Sequence, residues 1–225
     1  MIRILTVSIA LMLGAVAAHA AQFGPSQYKI TATDGADITN FDLSPDLAQR
    51  MQKLDALVPV GNLNGDVTLY QFYDLNCPFC REASRDVDKL VKSDPKLKLV
   101  FVPYPVLSVD SVRGGMVEVA ASRMLKPEAF LELHRRIYAG RGVIDGDRVL
   151  EAATGLGLDR DKLIEAAQNE ATLSVLKSHA DFGSAARLNA TPAYVISGVA
   201  IVGHPGLKPL QKVVAAVRAC GKVVC

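Results

Sequence analysis

Two cysteines separated by two residues, Cys77-Pro78-Phe79-Cys80, stand where an apolar, strand-like run ends and a helix-like run begins. Before them, Val67-Thr68-Leu69-Tyr70-Gln71-Phe72-Tyr73 is rich in β-branched and aromatic residues, the composition of a buried strand. After them, Ala83, Val87, Leu90 and Val91 recur at spacings that fill one helix face. The pattern predicts a strand that delivers the chain into a helix, with the cysteine pair at the helix N-terminus. Unpartnered N–H groups and the helix dipole favour a thiolate there, and the thiolate is the nucleophilic form of cysteine. Pro78 suits the first turn, because the N–H it lacks has no helical partner at that position. The pair therefore constrains the chain to an α/β arrangement and points to thiol chemistry.

Two other uses of such a pair fit less well. A structural zinc site wants four ligands, usually from two such knuckles. The remaining cysteines, Cys220 and Cys225, are more widely spaced and lie at the far end of the chain. His134, His179 and His204 form no ligand pair at short spacing, so neither a metal nor another cofactor is expected. His134 and His179 read as helix-surface residues, and His204 as a loop histidine without a catalytic duty. A static bridge between Cys77 and Cys80 would close a loop of only a few residues and stabilise little.

The first residues suggest the compartment. Arg3 gives a positive start, Ile4 to Val16 is largely apolar, and Ala18-His19-Ala20 has the form of a cleavage site. Residues 1–20 read as a signal peptide, since the apolar stretch is shorter than a spanning helix usually needs. Export would place the thiols where disulfides persist. With 25 basic and 23 acidic residues, the formal charge is +2, which gives no electrostatic case for nucleic acid.

Residues 21–61 read as an extended arm with one helix. Asp34-Gly35 marks a turn, and Ser44-Pro45 is a helix start followed by Leu47, Met51 and Leu54 at helical spacing. The helix from Ser44 to Leu57 either packs on its own domain or mediates oligomerisation. Gly61-Asn62-Leu63-Asn64-Gly65 breaks it before the first strong strand. Lys96 to Val102 reads as a second strand. Helical character then fills about 111–189, in stretches near Val112–Leu125, Glu128–Tyr138, Asp147–Thr154 and Asp159–Ala186. Strand signals return at Ala193–Ile196 and Val199–Val202, with Ser197-Gly198 between them as a tight hairpin. Leu207, Leu210, Val213, Val214 and Val217 then mark a closing helix face. The expected organisation is a core over 62–219 carrying the helical insertion, and a tail over 220–225.

With the exported leader, the strand-to-C-P-x-C junction, the helical insertion and Thr191-Pro192 before a late strand, the chain resembles the DsbA-like branch of the thioredoxin fold. The resemblance runs from about Asn62 to Arg218. Within that branch, Gly65-Asp66-Val67-Thr68 leading to Asp74-Leu75-Asn76-Cys77-Pro78-Phe79-Cys80-Arg81 is most similar to exported proteins of the suppressor-of-copper-sensitivity type. It implies an α/β thioredoxin fold with a helical insertion between the second and third core strands, and thiol-disulfide exchange in the periplasm. Cys77 would be the exposed nucleophile and Cys80 the resolving thiol, with Pro78 and Phe79 tuning the site. Pro192 matches the family's cis proline, which turns the backbone of Thr191 toward the sulfurs and toward an extended substrate. The implied partners are exported proteins with thiols or disulfides, and a membrane or soluble redox partner that resets the dithiol.

One position departs from the family. Many relatives carry an acid six residues before the nucleophile, buried under the pair and able to help move protons. Here that residue is Gln71, which shares a strand face with Val67 and Leu69 but cannot titrate. Asp74 is nearer to the pair and is equally readable as a solvated turn carboxylate. Export, an even cysteine count and Gly221 predict a local disulfide between Cys220 and Cys225, with a redox relay as the other reading. The direction of exchange stays open at this stage. So do two alternatives, an oligomeric isomerase or reductase and a non-catalytic metal-binding or chaperone module.

Overall fold

The computed structural model describes residues 26–225; the expected signal peptide lies outside the described residues. Six strands form one sheet: β1 (Thr39–Asp42), β2 (Val58–Gly61), β3 (Val67–Tyr73), β4 (Leu97–Pro103), β5 (Ala193–Ile196) and β6 (Val199–Val202). Their order is β1-β6-β5-β3-β4-β2, so β3 and the start of the helix that follows it lie at the middle of the sheet. β3 and β4 run parallel and are joined by α2 (Pro78–Ser93); the other neighbours are antiparallel. Between β4 and β5 come α3 (Val109–Ser122), α4 (Pro127–Ala139), α5 (Gly146–Thr154), α6 (Arg160–Gln168) and α7 (Glu170–Ala185). The chain ends in α8 (Leu207–Cys220).

Alternation along the strands builds two cores. Val67, Leu69 and Tyr73 of β3, with Leu97, Leu99 and Phe101 of β4, pack against Val87 and Leu90 of α2, Phe130 and Leu133 of α4, and Leu210 and Val214 of α8. Phe72 and Val102 point the other way, into a second core with Phe182 of α7 and Met51 of α1 (Pro45–Met51). A one-residue slip of β3 would exchange these faces, and each fully buried Leu or Phe is worth about 1.5–3 kcal/mol, so the register is firmly set. The β5–β6 hairpin turns through Ser197 and Gly198, both at positive φ, as the two-residue turn that matches strand twist requires.

The stretch read as an extended arm supplies both edges of the sheet. β1 pairs with β6 and β2 pairs with β4. β2 was hidden because it is four residues long and contains Pro59; proline has no N–H to donate to a ladder and is tolerated in a sheet at an edge, where β2 lies. Ser44 caps α1 by accepting from the Leu47 N–H, and Leu47 and Met51 pack within the second core, so the apolar side of α1 is used inside its own domain. The long helix expected over Asp159–Ala186 is two helices. Asn169 ends α6 and caps α7 by accepting from the Ala171 N–H, a competition that Asn side chains win at helix starts.

Candidate active site

Cys77 is the N-cap of α2, and Pro78 is the first residue inside it. The strand-to-helix junction therefore puts the first sulfur at the positive end of the helix. Cys77 and Cys80 are unbonded thiols. Both sit deep, with Cys77 5% exposed and Cys80 1% exposed, while Phe79 between them is 63% exposed. Cys77 is thus less open than an exposed nucleophile was expected to be. Its sulfur is tucked against the Thr191 carbonyl, to which the thiol donates at 3.1 Å.

The two sulfurs are electrostatically unlike. The Cys77 pKa is lowered to about 6, chiefly because the Cys80 thiol hydrogen-bonds to its sulfur. Burial works against this, while the Thr191 side chain and the N–H groups of Cys80 and Phe79 add to it. The Cys80 thiol is pushed far up, first by burial and then by the neighbouring Cys77 sulfur. Near neutral pH the pair is a thiolate beside a protonated thiol.

Thr191-Pro192 enters β5 through a cis peptide bond, and Thr191 is buried against the pair. The sequence thus brings together Cys77, Cys80, Pro78, Phe79, Thr191 and Pro192, all at one end of the central strands. Cys220 and Cys225 lie elsewhere, bonded to each other at the end of α8.

Asp74 is not a solvated turn residue: it is fully buried. Its Oδ1 accepts from the Asn76 N–H at 2.8 Å and from Ser111 Oγ at 2.7 Å. Its Oδ2 accepts from the Val106 and Leu107 N–H groups at 2.8 and 2.9 Å. Its backbone carbonyl accepts from the Cys77 N–H at 3.1 Å and from the Tyr138 hydroxyl at 3.2 Å. One side chain thereby fixes the turn before Cys77, the loop after β4 and the start of α3. Asn76 extends the clamp, since its amide donates to the Ile144 carbonyl and accepts from the Ile144 N–H, each at 2.8 Å.

Arg81, one residue after the pair, was not singled out in the sequence. Its guanidinium donates to the carbonyls of Tyr138, Gly140 and Gly142 and lies over the Tyr138 ring at 5.6 Å. A cation here meets the negative end of α4, and it ties the insertion to the active-site helix. Gln71 is buried as expected, with Oε1 lacking a partner.

Both helix histidines are buried, not on the surface. His134 falls on the stripe made by Phe130, Ile137 and Tyr138, and its Nδ1 lies 3.3 Å from Oε1 of the fully buried Glu118. His179 lies on the stripe with Val175 and Phe182, and its two ring nitrogens meet the Pro103 and Asp55 carbonyls at 2.8 Å each. Helical spacing carried the signal in both cases, and the polarity of the residue type masked it.

A family model described as Thioredoxin matches residues 54–216. Among solved structures, a thioredoxin-like oxidoreductase from Silicibacter pomeroyi DSS-3 superposes with a TM-score of 0.68 at 27% identity, over 79% of this chain and 99% of that one. The catalytic domain of ScsC from Proteus mirabilis gives a TM-score of 0.68 at 21% identity, over 77% of this chain and 97% of that one. Among curated proteins, Na(+)/H(+) antiporter NhaA 3 of Salinispora tropica is 24% identical over 213 residues, which is 85% of this chain and 32% of that protein. The chain thus spans about a third of the length of the curated relatives it matches. Among the described residues, no helix is long and apolar enough to cross a membrane.

Proposed function

This chain belongs to the thioredoxin family, and on that premise we propose that it is an exported protein thiol-disulfide oxidoreductase working through Cys77 and Cys80. The observation that carries this reading is the placement of the pair: Cys77 caps the N-terminus of α2 with its sulfur 3.1 Å from the Thr191 carbonyl at the cis Thr191-Pro192 bond, and Cys80 is buried within the first turn of the same helix. In the oxidising direction, a substrate thiolate attacks Cys77 Sγ of the disulfide, the S–S bond breaks, and Cys80 leaves and takes up a proton. A second substrate thiolate then attacks the mixed disulfide and releases Cys77 as a stable thiolate. In the reducing direction, the Cys77 thiolate attacks a substrate disulfide and Cys80 resolves the product.

The surroundings support a polypeptide substrate. Phe79, Val106, Leu107, Val109 and Val143 are large apolar residues left exposed. The clamps from Asp74 to residues 106 and 107, and from Asn76 to Ile144, bring these side chains round the mouth of the site. An unfolded segment of an exported protein offers apolar side chains and a backbone able to lie along Thr191. Residues 1–20 supply the export signal and the periplasm the compartment.

Equilibration in graded glutathione buffers tests the reading, with thiol trapping and mass spectrometry assigning Cys77 and Cys80 separately from Cys220 and Cys225. A reversible Cys77–Cys80 disulfide is expected, near about −120 mV for a disulfide donor or about −270 mV for a reductase. If the two cysteines never form one, the reading fails and a metal-binding module takes its place.

A further inference from the structure

The loop between α4 and α5 is tied to residues on both flanks of the cysteine motif. Asn76, one residue before Cys77, binds both backbone groups of Ile144. Arg81, one residue after Cys80, donates to the carbonyls of Tyr138 at 2.9 Å, of Gly142 at 3.2 Å and of Gly140. A second guanidinium completes the hold. Arg148 of α5 donates to the carbonyls of Ile137 at 2.8 Å, of Arg141 at 2.7 Å and of Val143 at 3.4 Å. The two arginines thus take every carbonyl from residue 140 to residue 143, Arg81 the even ones and Arg148 the odd ones. A Cβ on Gly140 would come within 2.8 Å of the Arg148 guanidinium and push it off these carbonyls.

The donors of the same loop are left over. The N–H groups of Arg141, Gly142 and Val143 have no acceptor among the described residues, whereas the next one, of Ile144, is taken by Asn76 Oδ1 at 2.8 Å. All three residues are exposed, and Val143 shows 61% of its surface to solvent. A loop whose carbonyls are all taken and whose N–H groups are free pairs only with acceptors, and Val143 adds an apolar contact. Backbone carbonyls alternating with apolar side chains are what an extended polypeptide presents. We propose that residues 140–143 form a recognition wall for the backbone of the polypeptide segment flanking the reacting cysteine, with Arg81 and Arg148 as the positioning residues that set it.

This assignment rests on the exchange reading above and separates recognition from sulfur chemistry. The groups that chiefly set the Cys77 sulfur are Cys80, Thr191 and the N–H groups of Phe79 and Cys80, and neither arginine is among them. A substrate without a polypeptide backbone therefore reacts with Cys77 whether or not the wall is in place, and a peptide loses its seat when the wall moves. A clamp that merely fastened the insertion would affect both substrates alike.

The test compares the full chain's reduction of a disulfide-bonded, apolar, extended peptide with its reduction of 2-hydroxyethyl disulfide, which has no backbone. Arg81→Met is expected to lower the ratio of the peptide rate to the small-disulfide rate about tenfold, with the loss in KM. Arg81→Lys should recover little of it, because one ammonium cannot bridge the carbonyls of Tyr138, Gly140 and Gly142 together. Val143→Ser leaves both guanidinium clamps in place and should lower the ratio about threefold; it decides the matter if Arg81→Met fails to fold. Arg136→Met removes a comparable hold on the Gly155 carbonyl, at the other end of α5, and should keep the parental ratio. Parental ratios in Arg81→Met and Val143→Ser overturn the proposal, as does full recovery in Arg81→Lys or an equal fall in Arg136→Met, while exchange by the parent with both substrates keeps the exchange reading standing. A parent that exchanges with neither substrate overturns the exchange reading and the wall with it.

Discussion

The molecule holds two cysteine pairs, at opposite ends of two helices that pack on each other, and helix polarity separates their chemistry. Cys77 caps the N-terminus of α2, where free N–H groups stabilise negative sulfur; Cys220 is the last residue of α8, where the dipole opposes it. The first pair is buried and carries unequal thiols, whereas the second is exposed and bonded, with an S–S distance of 2.15 Å. Gly221 makes the second arrangement accessible. Its φ of 75° ends α8 in a left-handed turn that brings the tail back and seats Val223 in the core. One residue type thus serves as reagent at one helix end and as fastener at the other.

The sharpest way to break this contrast is Cys77→Ser, which should abolish catalysed exchange with a dithiol peptide while leaving the fold intact by circular dichroism. Next in size is Asp74→Ala. It strands three backbone N–H groups and the Ser111 hydroxyl, each worth about 1–3 kcal/mol when buried, so urea unfolding should show a loss of about 3 kcal/mol or more. Replacing Cys220 and Cys225 together by alanine opens a loop with a sequence separation of 5 and should cost about 2 kcal/mol by the same assay. That variant should keep exchange activity within about twofold, which a relay role for the second pair would forbid.

A further prediction is a pH dependence. Cys77 alkylation by iodoacetamide should rise through pH about 6 and level off above it. Because the folded pKa is lowered from 9.0 to about 6, the folded reduced chain binds fewer protons than the unfolded one between those values. This contribution to the stability of the reduced form is therefore complete above about pH 9 and disappears as pH falls through 6. The opposite slope in denaturant titrations of the reduced protein would contradict the assigned pKa.

The parts legible in the sequence are those where local pattern and tertiary environment agree. β3, α2 and the β5–β6 hairpin follow from alternation, helical spacing and a Ser-Gly turn, and they carry Cys77, Cys80, Thr191 and Pro192. Where tertiary partners decide, pattern fails. Asp74 reads as polar and therefore wet, yet Val106, Leu107 and Ser111, 32 to 37 residues further along the chain, supply the donors that let it be buried. β1 has too few apolar residues to be recognised alone, because β6 supplies its ladder. His134 and His179 occupy apolar stripes because Glu118 and two backbone carbonyls answer their ring nitrogens. Nothing local announces partners so far along the chain.

The placement of β1 bears on the order in which the molecule can be made. A ribosome delivers Thr39–Asp42 early, yet their partner strand, Val199–Val202, is among the last segments to emerge. The β3–α2–β4 unit can assemble from neighbouring sequence as soon as Pro103 is out, and it already sets Cys77 at the head of its helix. Thr191, which covers that sulfur, arrives only after the whole insertion. The last strands to be made thus complete the site, since it is the segment entering β5 that brings the Thr191 carbonyl to within 3.1 Å of the Cys77 sulfur.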